Sequence, residues 1–405
     1  MKKIKSFFLS ERFLNCWSFI YLFVLIMGFV RELLSKDQSK MAIISDCFVN
    51  YHGGFVRRGL LGEILLYIYD VLKINPIILL LLIMGGAFLI IAFFLIRKFR
   101  ESNYNLSILL VAPLLGGLPI YMVRRDYVLV VLFLLVIHLY KKIEFVKWVV
   151  IANLITVFGL LCYEPFIFIS IPIFFLLSLK RHNLIVSFIQ WLPCIGTFIL
   201  CCVFKGNEYV VTAIKRSTNW FLEDYRLIDF LGYDGKDVMT MHFRINFLEV
   251  YYGIPSVVVS LVSLFAMIYF FVNSVPMYSK SNSWNRRVIL MLLIFFIVCQ
   301  MPMFICLSTD YGRLFSFAAL CSLIVYFIIP TNELESLYPK IYKKSIDRIL
   351  IIDKYIKPTR SKILFILLFI GIAPWSGHIG RMFVTSEIGY TLRVLYEMYG
   401  GILRP

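Results

Sequence analysis

Long apolar runs separated by short polar breaks recur from one end of the chain to the other. Runs at 13–30, 76–96, 106–121, 127–140, 148–161, 166–179, 184–204, 247–272, 288–307, 314–329 and 363–374 each read as a membrane-crossing helix. A helix needs about 20 apolar residues to cross hydrocarbon, and shorter runs cross with little tilt or in a thinned bilayer. The pattern predicts an all-α polytopic transmembrane bundle of about 11 spans, forming a single integral membrane domain over residues 1–405. The polar breaks alternate in character. Arg97, Lys98 and Arg100, then Lys141 and Lys142, then Lys180 and Arg181, and the basic segments 279–287 and 331–362 all fall on one side. Lys and Arg concentrate in cytoplasmic loops, which puts the N-terminus inside and residues 375–405 outside. The basic residues 1–12 and the run after them resemble a secretory signal, but no small-residue cleavage site follows, so they read as an uncleaved first span. The first outer segment, 31–75, carries a short apolar helix at 60–72 that suits the interface. A second outer segment, 205–246, is the longest polar stretch and reads as a periplasmic loop.

Composition agrees with this layout. At 60% hydrophobic and 16% charged residues the chain is no soluble globular protein. The formal charge of +17 is spread between apolar spans rather than gathered on a compact domain, which excludes nucleic acid as a partner. The nine cysteines lie mostly inside apolar runs without C-x-x-C spacing, so they read as small packing residues rather than metal ligands. Cys47 and Cys162 sit near the outer boundary, where a disulfide between them is conceivable.

One polar stretch, 46–63, stands out against this background. It holds Asp46, Asn50, Tyr51, His52, Gly53, Gly54, Arg57 and Arg58 between two long apolar segments. Polar groups near hydrocarbon are costly and mark function by default. Gly53 and Gly54 permit positive φ and expose backbone N–H groups, while Arg57 and Arg58 offer planar donors suited to phosphate oxygens. The plain alternative is a basic loop whose arginines snorkel into headgroups. The company of Asp46, Asn50 and His52 favours an anionic-ligand site.

Other charged corners fall on the same outer side: Arg124, Arg125 and Asp126; Glu164 between Tyr163 and Pro165; and Asp310 with Arg313. Taken singly, each is explained as a helix-start carboxylate or a local ion pair. Together they make one polar cavity if the helices bundle, because charges avoid lipid. Such a cavity suits a lipid-borne phosphate and a reaction needing a base. Asp46, Asp126, Glu164 and His52 are the candidates for proton transfer, with arginines stabilising the departing phosphate. Asp310, Tyr51 and His242 are candidates for binding the acceptor sugar, and loop 205–246 is a candidate lid against water. His138 and His378 read as packing or surface residues.

In length, span count and composition the chain resembles the O-antigen and capsule repeat-unit polymerases of bacterial surface-polysaccharide loci. The string Gly53-Gly54-Phe55-Val56-Arg57-Arg58-Gly59-Leu60 also resembles one in bacterial membrane proteins of this kind. The layout is similar to the GT-C glycosyltransferases, in which an acidic residue follows the first span and a second lies between the third and fourth. Asp46 and Asp126 occupy those places. The resemblance implies a glycosyltransferase that uses undecaprenyl-(pyro)phosphate-linked saccharides at the periplasmic face of the bacterial inner membrane, within the lipid bilayer and alongside other polysaccharide-assembly membrane proteins. It implies that Arg57, Arg58, Arg124, Arg125 and Arg313 hold the lipid pyrophosphate. Asp46 lacks a neighbouring carboxylate in an Asp-x-Asp arrangement, so neither a metal nor another cofactor is expected.

Repeat-unit polymerisation is preferred, with transfer of a single sugar from a polyprenyl-phosphate donor as the alternative. A flippase for lipid-linked oligosaccharide is a further alternative, but it calls for broken helices and charges within spans, whereas here charges gather at span ends. An acyltransferase would need an inner-face catalytic histidine, and His182 sits in a plain basic stop.

Overall fold

The computed structural model describes residues 7–8, 10–34, 44–110, 125–229, 231–232, 254–279, 281, 283–302, 311–369 and 387–402. Among them all regular structure is helical, as the apolar runs predict. Where a single domain is expected, contacts group the chain into two compact units, each assembled from separated segments. One comprises residues 36–91 and 122–240, and the other residues 1–35, 92–121 and 241–405.

The first of these units carries the polar stretch. Its helices are α1 (Gly59–Leu72), α2 (Pro76–Glu101, whose last turns belong to the other unit), α3 (Asp126–Tyr140), α4 (Phe145–Cys162), α5 (Ile167–Leu179), α6 (Leu184–Gln190), α7 (Leu192–Val203) and α8 (Glu208–Thr218). α4 is central and packs against α1, α3 and α7. Its anchor is Trp148, fully buried, whose Nε1 donates to Val136 O at 2.9 Å and whose ring meets Tyr140, Phe174 and Trp191. The indole thus satisfies its one donor while burying a large apolar face.

α6 and α7 together make the expected run 184–204, but they meet at a 53° bend. Pro193, in the first turn of α7, cannot donate to the preceding turn. At the bend the Gln190 carbonyl accepts from Asn153 Nδ2 at 2.9 Å, and Trp191 Nε1 donates to Ser178 Oγ at 3.1 Å.

Two glycines set close approaches. A Cβ on Gly62 of α1 would stand 2.1 Å from Val49 O, so the stretch leading into α1 lies directly on that helix. A Cβ on Gly159 of α4 would strike the Phe166 ring at 2.5 Å, so the Glu164–Phe166 turn folds back over the end of α4.

The expected loop 205–246 differs from its prediction. Asn207 caps α8 by accepting from Val210 N at 2.9 Å. Val210, Val211 and Ile214 then pack with Val49, Val56, Ile228 and Leu231. Residues 208–218 are therefore a helix held by an apolar face, and residues 233–246 lie outside those described.

The other unit contains Glu11–Leu34, Ile254–Tyr278, Arg286–Cys299, Tyr311–Ile328, Thr331–Leu337, Lys340–Ile356, Arg360–Phe369 and Glu387–Ile402. Arg286–Cys299 packs on Tyr311–Ile328. Trp284 Nε1 donates to Val272 O at 3.0 Å, the same twelve-residue reach that Trp148 makes to Val136. The basic segment 331–362 is largely helical.

Among the described residues two helices, α2 and α4, are long and apolar enough to cross a membrane, or up to four if each of two bent pairs is one span. This falls short of the expected count of about 11. Several apolar helices, α3 and α5 among them, are shorter than a full crossing, and run 106–121 lies mostly outside the described residues.

The contrast between two glycines is testable. Gly62→Ala forces a methyl against backbone and should cost about 1–3 kcal/mol. Gly85→Ala, in α2 with open space where the methyl would go, should be neutral or stabilising by up to about 1 kcal/mol. Thermal unfolding of the detergent-solubilised protein checks both.

Candidate functional site

The stretch 44–58 is held by hydrogen bonds within itself and to α1 and α8. Asn50, fully buried, donates from Nδ2 to Phe48 O and Ser217 Oγ, and its Oδ1 accepts from His52 N at 3.1 Å. Glu63 Oε2 accepts from Tyr51 N at 2.9 Å. Gly54 takes φ +99°, which only glycine adopts freely. Gly53 serves differently from the expected anion nest: a Cβ there would press on the α8 backbone at Val210, 2.8 Å away. Arg58 itself is left-handed, at φ 66°, just before α1 begins. A non-glycine residue holds that conformation, at a cost of about 1–3 kcal/mol, only where its surroundings impose it.

Those surroundings are ionic. Arg58 forks onto Glu164, with Nε 2.8 Å from Oε2 and NH2 2.7 Å from Oε1. Its NH1 lies 3.6 Å from Asp46 Oδ1. Arg125, only 3% exposed, pairs with Asp46 Oδ2 at 2.6 Å, donates to Cys162 O at 2.8 Å and also bonds Asp46 O. Both guanidiniums lie over the Tyr163 ring, Arg58 at 4.7 Å and Arg125 at 5.5 Å from its centre. Four places in the chain thus converge: 46, 57–58, 125 and 163–164.

Each element has a local reason to deliver its residue. Gly159 lets the turn carry Glu164 back over α4. Asp126, buried at the head of α3, favours the positive end of that helix and leaves Arg125 as the residue before it.

Arg57 differs from its neighbours. Its NH1 approaches Glu164 Oε1 only to 3.6 Å, and its Nε is buried without a hydrogen-bond partner among the described residues. Burial, and then repulsion from Arg58, pull its pKa below the usual arginine value. An anion placed there would relieve both penalties. Glu164, in the turn outside both adjoining helices, shows the opposite. Burial pushes its pKa up, but the Arg58 fork outweighs burial and holds it at about 2. A carboxylate so held is a counter-ion rather than a base.

The remaining predicted residues separate. His52 is half exposed, with Nδ1 3.1 Å from Asn50 Oδ1 and 4.0 Å from Glu63; it faces the groove beside α8 rather than the arginines. Tyr51 stacks on Phe55 and presses its ring on Gly59, with its hydroxyl buried. Arg124, Asp310 and His242 lie outside the described residues, as does the side chain of Arg313. Cys47 and Cys162 share an apolar cluster without forming a disulfide. Tyr163 and Glu63 received no role from the sequence, whereas Asn50, expected beside Asp46 and His52 at an anion site, instead holds the backbone of the stretch. Tyr163 was signalled only by standing next to Glu164, and Glu63 by closing the polar stretch.

Compared with protein-family models, characterised proteins and solved structures, the chain finds no match.

Chemically, the cluster offers a fixed positive surface with one incompletely satisfied guanidinium, flanked by one immobilised carboxylate and one partly open one, Asp46. Two predictions follow from the pairing. Arg125→Ala removes the nearer of Asp46's two cationic partners and should cost about 1.5–3 kcal/mol, whereas Arg57→Ala should leave the unfolding temperature nearly unchanged; thermal unfolding distinguishes them. Glu164 has a folded-state pKa below its ordinary 4.5, so its bridge contributes fully above about pH 4.5 and is lost as pH falls toward 2. Glu164→Gln should remove that part of the stability-versus-pH curve.

Proposed function

We propose that the protein is a membrane glycosyltransferase that uses undecaprenyl-linked sugars, and that it polymerises repeat units of a surface polysaccharide. It sits in the bacterial inner membrane as a bundle of about 11 spans, with its N-terminus cytoplasmic and the arginine cluster periplasmic. The observation that carries this reading is Arg57, a part-exposed guanidinium whose buried Nε has no hydrogen-bond partner among the described residues, set beside the tightly paired Arg58.

Exposed apolar side chains support a lipid environment. Val146, Val150 and Leu154 form an uncovered stripe at four-residue spacing along α4, and Leu82, Leu89 and Phe93 are exposed on α2. Charge at the ends of such helices is where a lipid-borne diphosphate meets the protein.

In this reaction the bond between the anomeric carbon of the donor sugar and its phosphate oxygen breaks, and an acceptor hydroxyl oxygen takes its place. Arg57 and Arg58 stabilise the charge gathering on the departing lipid diphosphate. Asp46, the carboxylate with an open side, receives the hydroxyl proton. Glu164 orients Arg58, and Arg125 orients Asp46. Transport of the lipid-linked sugar is less well supported. The bend between α6 and α7 is a broken helix of the kind transporters use, but its Gln190 carbonyl accepts from Asn153 and residues 188–195 carry no charged side chain.

Arg57→Ala should leave the protein inserted and folded while lowering polymer formation about 100-fold or more, the scale on which loss of one charge-stabilising donor acts. The polysaccharide ladder of a complemented deletion strain measures this, and wild-type chain lengths in the variant would overturn the reading. Deletion itself leaves a single repeat unit on the acceptor if the enzyme polymerises, and full-length chains of altered composition if it adds a side-branch sugar.

A further inference from the structure

Beside the arginine cluster, and within the same compact unit, α1 and α8 enclose an open groove of ≈ 740 Å³, within the range of small-ligand sites. Its character differs from that of the cluster. Trp220 is 48% exposed, its ring lies 4.3 Å from that of Tyr69, and its Nε1 is committed to Ser217 O at 3.2 Å. Its ring also packs on Phe221 at 4.5 Å, so the indole is held in place with about half of its surface still exposed. Asp70, Glu208 and Arg216 line the same groove, and none of their side chains pairs with another group among the described residues. His52 borders the groove, five residues before Arg57.

We propose that this groove is a saccharide-binding site that holds the sugar residues of the acceptor, an assignment that takes its acceptor from the glycosyltransferase reading. A flat aromatic face covers the C–H side of a pyranose, which a charged surface cannot do. Carboxylates accept from adjacent hydroxyls and a guanidinium donates to ring and hydroxyl oxygens. A fatty chain would need an apolar trough, and three unpaired charges exclude it. A free anion would choose the arginine cluster over a groove with two carboxylates. Helix α1 joins the two places: Arg58 precedes its first turn and Asp70 lies in its last, about 18 Å along the axis at 1.5 Å per residue. A bound chain of sugars then runs along α1 toward the diphosphate end.

The test uses the full-length protein in lipid nanodiscs and two probes: oligosaccharides released by mild acid from the source organism's surface polysaccharide, and undecaprenyl phosphate. In saturation-transfer NMR the wild-type protein should saturate the sugar protons. Trp220→Ala should reduce that signal at least tenfold, and Trp220→Phe should keep most of it. Asp70→Asn, on an exposed side chain without a fold role, should weaken it severalfold. Undecaprenyl phosphate binding should be unchanged in all three variants. Absence of sugar saturation in the wild type, or full saturation in both Trp220→Ala and Asp70→Asn, overturns the groove assignment. Sugar binding without any binding of undecaprenyl phosphate overturns the arginine-cluster reading instead and leaves the groove standing.

Discussion

The fork between Arg58 and Glu164, with its neighbour pair Arg125 and Asp46, is the constraint on which this half of the molecule depends. Charges withdrawn from water among apolar helices survive only when each is met by an opposite charge and by hydrogen bonds to its remaining groups. Both conditions hold: Arg125 spends its remaining donors on the carbonyls of Asp46 and Cys162, and Tyr163 lies beneath both guanidiniums. The network ties the stretch before α1, the residue before α3 and the turn after α4 into one rigid object. Its strength explains why Arg58 is held in a left-handed conformation that arginine otherwise avoids. It also explains the glycines, since Gly59, Gly62 and Gly159 let backbone and rings come as close as the short ion pairs require.

Within that object the acidic groups divide their labour. Glu164 is gripped at two oxygens and serves as a counter-ion. Asp46 is anchored by Arg125 yet retains an open side. Arg57 completes the contrast, sharing Glu164 only at a distance. Charges fixed in this way are already aimed, so little would have to move on meeting an anion. The neighbouring groove differs in character, with a half-exposed indole and three charged side chains that pair with nothing among the described residues.

Much of this was legible in the chain before any coordinates. Asp46, Arg57, Arg58, Arg125 and Glu164 were each singled out because charge at the end of an apolar run is expensive, and they do gather. The helix at 208–218 was missed although its signals were present: Asn207 as a cap and valines and isoleucine spaced to one face. They were masked by the charged residues between them, which made the segment read as a solvated loop. The bend at Trp191 was likewise signalled by Pro193 inside an otherwise uniform run. The roles of Glu164 and Gly53 were not legible, because each depends on what stands opposite.

Helix positions and the placement of charge at their ends follow from the chain alone, since both arise from neighbours a few residues apart: apolar runs, prolines and caps. Partnership does not. Arg58 and Glu164 are separated by 106 positions, and nothing local says that one will neutralise the other rather than face a ligand. That Glu164 became a counter-ion, that Arg57 was left with an unused donor and that Trp220 came to stand over Tyr69 were settled only when the helices packed and brought those side chains within bonding distance.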